Sequence, residues 1–322
     1  MDTPLKKISA ILREEDDFMV ASHYNPDGDA IGSMCAVGHI LKALGKRFFL
    51  YNPSGLPSRY DFTPNPAPVQ TTLPETMPRW AIVLDCGSAE RMGETLMSRL
   101  GETKAINIDH HLGNDEFGVE NWVDTHQPAV GCMTALLAEA LDIPMVGQLA
   151  ECIYLAVATD TGFFSYGSTT PESLELAARL LRDGLNIADI NRTITKQWSE
   201  ERMHLWTEVM NTVELFRDKQ IAVACITKEM FKRTHTGPDD TENIINFIRR
   251  LKSVRMAAIL REEAPDTYKF SLRSYGEDNV QVVAAEFGGG GHKNASGGSI
   301  NAPLEEAKTR LVEAAATVLE LQ

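Results

Sequence analysis

The sequence predicts an α/β protein of two domains, and three observations lead to this prediction. The chain has 322 residues, which is the usual length of about two domains. Short apolar runs alternate with helix-like segments over residues 1–185, and a second pattern of this kind follows over residues 217–322. We therefore expect an N-terminal domain with a parallel sheet and a smaller C-terminal α/β domain, joined by a helical linker at 186–216.

Four apolar runs with flanking turn residues predict the strands of the first domain, at 18–22, 46–52, 80–84 and 104–108. Helix-like segments are found at 30–44, 89–100, 130–141 and 146–160. Because parallel strands need crossover connections, this alternation predicts a largely parallel sheet covered by helices. The segment from Pro53 to Pro78 contains seven of the fifteen prolines and predicts an irregular crossover inside the domain.

The second domain is predicted to begin with an apolar strand at 221–226, after the polar helical linker. Its further elements are a helix near 240–252, two antiparallel strands in VRMAAILRE and TYKFSLRS, and a closing helix at 303–320. The glycine-rich run FGGGGHKNASGGS lies between them. A glycine cluster flanked by His and Asn, with secondary structure on both sides, indicates a binding element, although a flexible loop is the alternative.

Acidic residues outnumber basic ones by 45 to 31, which gives the chain a net charge of −14. Such a surface repels a long polyanion, so the binding of long duplex nucleic acid is disfavoured. Bound divalent cations can invert the local potential, and a site for short anionic substrates therefore remains open.

The N-terminal residues lack the apolar core and the cleavage site of a secretory signal, and no apolar stretch has the length of a membrane span. We therefore expect a cytoplasmic protein that does not contact a membrane. The five cysteines are odd in number, far apart and without any CxxC pair, which predicts buried, reduced thiols.

A first group of candidate ligands follows the strand at 18–22 directly. His23, Asp27 and Asp29 lie in one short segment, in which Pro26 and Gly28 favour a turn. The carboxyl ends of strands are where open α/β sheets usually build their sites. Aspartate is also common in turns and as a helix cap, so this segment alone supports either interpretation.

The same placement recurs at two further strand ends and at one helix end. Asp85 follows the strand at 80–84, Asp109, His110 and His111 follow the strand at 104–108, and Asp160 lies at the end of an apolar helix. Carboxylate and imidazole ligands without cysteine suit divalent ions such as Mn²⁺. The set predicts a centre of two metal ions, which share a bridging carboxylate and generate a bridging hydroxide for phosphoester hydrolysis.

At these residues the chain resembles the DHH phosphoesterase family, whose motif is present as Asp109-His110-His111. The segments SHYNPDGDAIGS, VLDCGS, NIDHH and TDTGFFSY match in order, and FSLRS and GGGGHKNASGG resemble the associated DHHA1 domain. The resemblance covers nearly the whole chain and is greatest to the branch of nanoRNases and 3′-phosphoadenosine 5′-phosphate (pAp) phosphatases.

The resemblance implies a role for each matching position. One Mn²⁺ is expected to be held by His23, Asp27 and Asp85, and a second by Asp29, Asp85, His110 and Asp160. His111 is expected to contact a phosphate oxygen of the substrate, and Asp109 to orient the adjacent histidines. The implied substrates are very short oligoribonucleotides and pAp, with 5′-mononucleotides as products. The sequence leaves open whether the enzyme is a homodimer.

The second domain is expected to recognise the rest of the nucleotide. Backbone amides of the glycine run can approach a ligand closely because no Cβ intervenes, and Arg273 can bind a terminal phosphate in a bidentate manner. Arg261 is a weaker candidate, since an arginine at a strand end is more often a solvated surface residue. The expected substrate-binding residues are Arg261, Arg273, Gly289, Gly290, Gly291, His292, Asn294 and Ser296.

Several other functions are compatible with parts of this pattern. The nearest is a phosphodiesterase that opens cyclic dinucleotides or cleaves linear pApA, which the sequence barely separates from the first interpretation. Single-strand DNA exonucleases of the family are usually much longer, and family II inorganic pyrophosphatases lack the GGGGH motif. A nucleotide-sensing module without activity is expected to lack one or more ligands, and every ligand position is occupied here.

Overall fold

The computed structural model describes residues 3–196 and 198–321, and each of these two ranges forms a compact unit. The strands of the first unit are β1 (Phe18–Ser22), β2 (Phe48–Tyr51), β3 (Val69–Gln70), β4 (Trp80–Leu84), β5 (Lys104–Asp109) and β6 (Glu120–Val123). Its helices are α1 (Pro4–Glu14), α2 (Gly28–Ala43), α3 (Glu94–Arg99), α4 (Val130–Ala140), α5 (Gly147–Asp160), α6 (Pro171–Arg182) and α7 (Ile187–Thr195).

The first sheet is parallel throughout and has the strand order β3-β2-β1-β4-β5-β6. After β1 the chain builds β2 and β3 on one side, and it then returns to build β4, β5 and β6 on the other. The strand order therefore reverses between β1 and β4. In open α/β sheets, the crevice outside the carboxyl ends of the strands at such a reversal is the usual ligand site.

The central strands of this sheet are buried on both faces, as their uniformly apolar sequences require. On one face Phe18 and Ile82 pack with the apolar sides of α1, α2, α4 and α5. On the other face Met19 and Val83 pack with Leu96 of α3. This two-layered packing holds the strand ends in fixed positions, and the site described below depends on them.

The second unit contains the strands β7 (Glu214–Phe216), β8 (Ile221–Ile226), β9 (Met256–Ala264), β10 (Thr267–Ser274), β11 (Gly290–His292) and β12 (Ala295–Asn301). Its helices are α8 (Glu200–Met210), α9 (Lys228–Thr234), α10 (Ile244–Ile248), α11 (Val280–Ala285) and α12 (Leu304–Val318). The strand order is β11-β12-β10-β9-β8-β7, and all pairs are antiparallel except β8 with β9. Helices α11 and α12 pack on one face of this sheet, and α8 and α10 on the other.

The α/β class and the order of the two sheets confirm the predicted architecture. The strands predicted at 18–22, 80–84 and 221–226 have the predicted bounds. The linker predicted at 186–216 contains two helices, of which α7 belongs to the first unit and α8 to the second. The five cysteines are free and buried, as predicted. None of the helices in the described ranges combines the length and the apolarity that a membrane span needs.

Other bounds differ by one or two residues, and three predicted elements differ more. The helix predicted at 89–100 is divided into a 3₁₀ turn at Ala89–Met92 and the short α3, because Gly93 between them has a φ of +91°. The helix predicted near 240–252 is reduced to α10, which follows a 3₁₀ turn at Pro238–Thr241. The glycine-rich run, predicted only as a binding element or loop, forms the hairpin of β11 and β12.

Candidate metal centre

Polar side chains gather at the carboxyl edge of the first sheet, on both sides of the strand-order reversal. His23 follows β1, Asp85 follows β4, and Asp109 ends β5, with His110 next to it. Asp85 has a left-handed backbone with a φ of +54°, so the chain turns sharply as it leaves the strand. Its backbone N–H still donates to the carbonyl of Ile108 at 3.0 Å, which ties this turn to β5.

Two helix ends bring further carboxylates to the same edge. Gly28, at the start of α2, lies so close to Thr159 of α5 that a Cβ atom would overlap its side chain. This contact places Asp29, the second residue of α2, near Asp160, the last residue of α5. The absence of a Cβ atom at Gly28 therefore allows the two helices to approach closely. This approach brings the candidate ligands Asp29 and Asp160 together.

Asp85 lies between two histidines. Its Oδ2 is 3.6 Å from Nε2 of His23, and its Oδ1 is 3.6 Å from Nε2 of His110. Asp27 approaches the first imidazole at 3.9 Å. Each histidine thus faces a different oxygen of one shared carboxylate.

The second histidine is surrounded by further carboxylates. Nε2 of His110 is 3.5 Å from Oδ2 of Asp160 and 3.9 Å from Oδ2 of Asp29. The structure therefore brings the six predicted ligands into two overlapping groups, His23, Asp27 and Asp85, and Asp29, Asp85, His110 and Asp160.

Backbone carbonyls fix the orientation of both imidazoles. Nδ1 of His23 lies 2.9 Å from the carbonyl of Tyr24, and Nδ1 of His110 lies 3.0 Å from the carbonyl of Gln127. A carbonyl oxygen can only accept, so Nδ1 must carry the proton in each ring. In the neutral ring Nε2 then has a free lone pair that faces the carboxylates, which is the arrangement of a metal-ligating histidine.

The site is built to hold positive charge. Nε2 of His23 and Oδ1 of Asp85 are buried and have no hydrogen-bond partner in the described chain. Burial opposes protonation of His23, but the carboxylates of Asp27 and Asp85 raise its pKa to about 10. The pKa of His110 is likewise raised to about 10, chiefly by Asp85 against the effect of burial. Orphaned ligand atoms beside several carboxylates fit divalent cations.

Asp29 also anchors the neighbouring helix. Its carboxylate accepts hydrogen bonds from the backbone N–H groups of Val130 and Gly131 at 2.7 and 2.9 Å, at the start of α4. The hydroxyl of Ser33 donates to it at 2.9 Å. Burial raises the pKa of Asp29 well above its usual range. These three donors fix the carboxylate in one orientation beside His110.

The other two residues of the DHH motif are Asp109 and His111, and Nδ1 of His111 also lies 3.5 Å from Oδ1 of Asp85. Nδ1 of His111 lies 2.8 Å from Oδ1 of Asp109. The amide of Asn114 donates to the other oxygen of Asp109 at 2.6 Å and to the side chain of Asn107 at 2.8 Å. Although burial raises it, the pKa of Asp109 is lowered by the hydrogen bonds from His111 and Asn114. In this structure Asp109 orients His111, whereas the Gln127 carbonyl orients His110.

The sequence did not identify four residues that complete this site. Asn114 donates to the carboxylate of Asp109 and is itself held by Asn107, and the carbonyl of Gln127 accepts from Nδ1 of His110. Nη1 of Arg91 lies 3.4 Å from Nε2 of His111, at the open side of the centre. The spacing of Arg91 six residues after Asp85 could have suggested it, because both follow the end of β4 in one loop.

The structure brings most of the predicted substrate-binding residues of the second unit to one end of its sheet. Arg273 of β10 pairs with Ala295 of β12, and Ala295 pairs in turn with His292 of β11. Arg261 is not among them. Arg261 lies opposite Lys269, which is four residues and thus about 13 Å from Arg273 along β10. Its guanidinium donates to the carboxylate of Glu263 at 2.7 and 2.9 Å.

Two predicted donors near the glycines are occupied within the protein. The side-chain amide of Asn294 donates to the hydroxyl of Ser274 at 2.9 Å and to the carbonyls of Gly276 and Asp278. The hydroxyl of Ser296 donates to the carbonyl of His292 at 2.7 Å. These side chains shape the turn after β10 and the end of the hairpin.

The glycines of the hairpin differ in what they require. A Cβ atom on Gly289 would overlap the backbone of β12, and one on Gly291, whose φ is +136°, would lie 2.6 Å from the carbonyl of Ala295. Gly290 is exposed, and a Cβ there would meet nothing within 4 Å. Packing therefore explains two of the three glycines, and Gly290 keeps open space beside its backbone.

Comparison with known proteins adds family matches in both units. The model of the DHH family, N-terminal domain, matches residues 17–157, and that of the DHHA1 domain matches residues 218–321. A protein of Thermus thermophilus named "Bifunctional oligoribonuclease and PAP phosphatase NrnA" is 29% identical over 313 residues, which are 96% of this chain and 93% of that protein.

Two solved structures show the same fold. An exopolyphosphatase-related protein from Bacteroides fragilis has a TM-score of 0.89 and 28% identity, over 98% of this chain and 96% of that chain. The structure of RecJ from Thermus thermophilus in complex with Mn²⁺ has a TM-score of 0.52 and 13% identity, over 99% of this chain and 55% of that chain. At this identity, the second likeness concerns the fold alone.

Proposed function

We propose that this chain, which belongs to the DHH phosphoesterase family and carries a DHHA1 domain, hydrolyses very short oligoribonucleotides to 5′-mononucleotides and dephosphorylates pAp. The observation that carries the proposal is the placement of Asp85 between His23 and His110 at 3.6 Å from each imidazole. The name of the Thermus thermophilus relative, which covers nearly the same length, supports this choice of substrates.

The proposed cofactors are two divalent ions, for which we favour Mn²⁺. Four carboxylates balance the charge of two such ions, and oxygen with imidazole ligands suits Mn²⁺. When bound, the ions would neutralise charge on the phosphate oxygens and lower the pKa of a water molecule, so that hydroxide, the attacking group, is available at neutral pH. The residues proposed to hold them are His23, Asp27, Asp29, Asp85, His110 and Asp160.

The remaining polar residues of the site are proposed to act on the phosphate. Because Nδ1 of His111 donates to Asp109, Nε2 is the atom left to contact a phosphate oxygen. Arg91, 3.4 Å from this atom, adds a positive charge at the same point. Asn114 holds Asp109 from behind and thereby keeps the ring plane of His111 fixed. These residues bind and orient the group that reacts.

The second unit is proposed to bind the parts of the nucleotide that do not react. Arg273 and the exposed backbone at Gly290 and His292 are the groups proposed for this role. With a net charge of −14, the general surface offers little attraction for a longer phosphate backbone. We therefore expect the protein to prefer substrates of a few nucleotides. We also propose that it acts in the cytoplasm. Analytical ultracentrifugation tests whether the chain forms a homodimer.

The experiment compares turnover of five compounds by the purified protein with Mn²⁺, with Mg²⁺ and with chelator. The compounds are pAp, pApA, a five-nucleotide RNA, cyclic di-AMP and pyrophosphate. We expect release of AMP from pApA and of phosphate from pAp, and loss of both with chelator. Turnover of cyclic di-AMP in preference to pAp and short RNA would support the alternative phosphodiesterase. Absence of metal-dependent turnover of all five would refute the proposal.

A further inference from the structure

Two arginines lie at the end of β10. Arg273 is in the strand itself, and Nη1 of Arg249, from the end of α10, donates to the carbonyl of the next strand residue, Ser274, at 2.8 Å. Neither guanidinium forms an ion pair within residues 3–196 and 198–321. The nearby Arg255, by contrast, is paired with Asp278 at 2.6 Å.

Arg249 is also held by an aromatic ring. The central carbon of its guanidinium lies 4.0 Å from the centroid of the Tyr275 ring, which is 52% exposed. Such stacking is favourable and fixes the plane of the guanidinium. The hydrogen bond to the Ser274 carbonyl uses one of the five N–H donors of Arg249, and the stack uses none. The guanidinium is therefore oriented in advance.

The charges around this pair favour an anion. Burial lowers the pKa of Arg273, and the positive charge of Arg249 lowers it further, so the two guanidiniums are near enough to repel. The carboxylates that follow in sequence do not relieve this repulsion, because Glu277 is paired with Lys293 and Asp278 with Arg255. An anion bound by both guanidiniums would relieve it.

We propose that Arg249 and Arg273 together form a subsite for the doubly charged terminal phosphate of a nucleotide, and that Tyr275 positions Arg249 within it. A terminal phosphate carries close to two negative charges at neutral pH, whereas an internal phosphodiester carries one. The two positive charges of the guanidiniums equal the charge of a terminal phosphate and exceed that of an internal phosphodiester. The subsite thus selects substrates with a phosphorylated end, and it rests on the function proposed above.

The first test uses two dinucleotides that differ only at the end, pApA and the 5′-hydroxyl form ApA. In Arg249→Gln we expect KM for pApA to rise about tenfold or more, as for loss of a charged hydrogen bond, with kcat little changed. KM for ApA is expected to stay within about twofold, and its turnover also shows that the variant is folded. Arg250→Gln, the same change at the neighbouring exposed residue, is the matched control and is expected to leave both values unchanged.

Two outcomes would overturn the proposal. Equal increases in KM for pApA and ApA would show that Arg249 does not read the terminal phosphate. An equal effect of Arg250→Gln would show that general charge, not the subsite, is responsible. For the positioning role, Tyr275→Ala is expected to raise KM for pApA several-fold and Tyr275→Phe to restore it, because phenylalanine keeps the ring.

A binding experiment separates failure of this subsite from failure of the proposed function. AMP and adenosine are titrated calorimetrically into the metal-loaded full chain. Arg249→Gln is expected to weaken AMP binding about tenfold and to leave adenosine binding unchanged. If the wild-type protein hydrolyses neither dinucleotide, the proposed function fails and this titration still decides on the subsite. AMP affinity equal in the variant and the wild type would refute it.

Discussion

Replacement of Asp85 by asparagine tests the metal centre most directly. Asparagine keeps the shape of the side chain and removes its negative charge. One oxygen of Asp85 faces His23 and the other faces His110, each at 3.6 Å, so one substitution acts on both halves of the site. A pair of unit charges at this distance interacts by about 4–5 kcal/mol at an effective dielectric constant of about 20.

This energy corresponds to roughly a thousandfold loss of affinity for positive charge beside either imidazole. We therefore expect Asp85→Asn to lose both ions at micromolar Mn²⁺ and to retain less than about 1% of wild-type turnover of pApA. Metal content is measured by mass spectrometry after desalting, and turnover by release of AMP. Asp115→Asn, the same change at an exposed aspartate, is the control and is expected to behave as wild type.

The result that would refute this reasoning is specific. If Asp85→Asn bound two ions per chain with wild-type affinity and kept more than a few per cent of turnover, Asp85 would not be shared between them. Loss of only one ion, with the other bound normally, would place Asp85 in one half of the site alone. Unchanged thermal unfolding of the metal-free variant would show that either result reflects the site and not the fold.

Three further predictions concern residues around the centre and in the second unit. Asn114→Ala should lower kcat about tenfold with metal content unchanged, because Asp109 loses the amide that holds it; a fall in metal content instead would contradict this role. Gly289→Ala should lower the melting temperature, whereas Gly290→Ala should leave it unchanged and raise KM for pApA, and calorimetry with kinetics distinguishes the two. Arg273→Ala should raise KM for pApA more than it lowers kcat, and activity should not rise with RNA length up to tens of nucleotides.

The sequence was sufficient to predict the fold of the first unit, and which polar residues gather at the edge of its sheet, for a physical reason. Uniformly apolar runs such as that of β4 are buried strands, and polar residues directly after them must lie at one edge of a parallel sheet. Asp85 and His110 could therefore be grouped without coordinates. The residues behind them could not, since Gln127 acts through its backbone carbonyl, which every residue type offers equally.

Register limited the prediction in the second unit. Arg261 and Arg273 lie on neighbouring strands, and only the pairing of β9 with β10 shows that four residues separate them. The contacts of Arg249 with Tyr275 and Ser274 join a helix to a strand end, and no spacing along the chain indicates them. The hairpin of β11 and β12 was missed because glycine disfavours strands, although the close approach of these two strands requires it.

The ligands of the candidate centre differ in how freely they could be exchanged by protein engineering. Asp29 is tied by three hydrogen bonds to α4 and to Ser33, so a substitution there would disturb the helix layer together with the site. The side chain of Asp27 is 54% exposed and makes one capping hydrogen bond, to the backbone N–H of Ala30. Asparagine at position 27 could accept the same capping hydrogen bond through its side-chain oxygen. Attempts to redirect the enzyme toward a different metal ion should therefore begin at Asp27, where the chemistry can be altered while the scaffold is left intact.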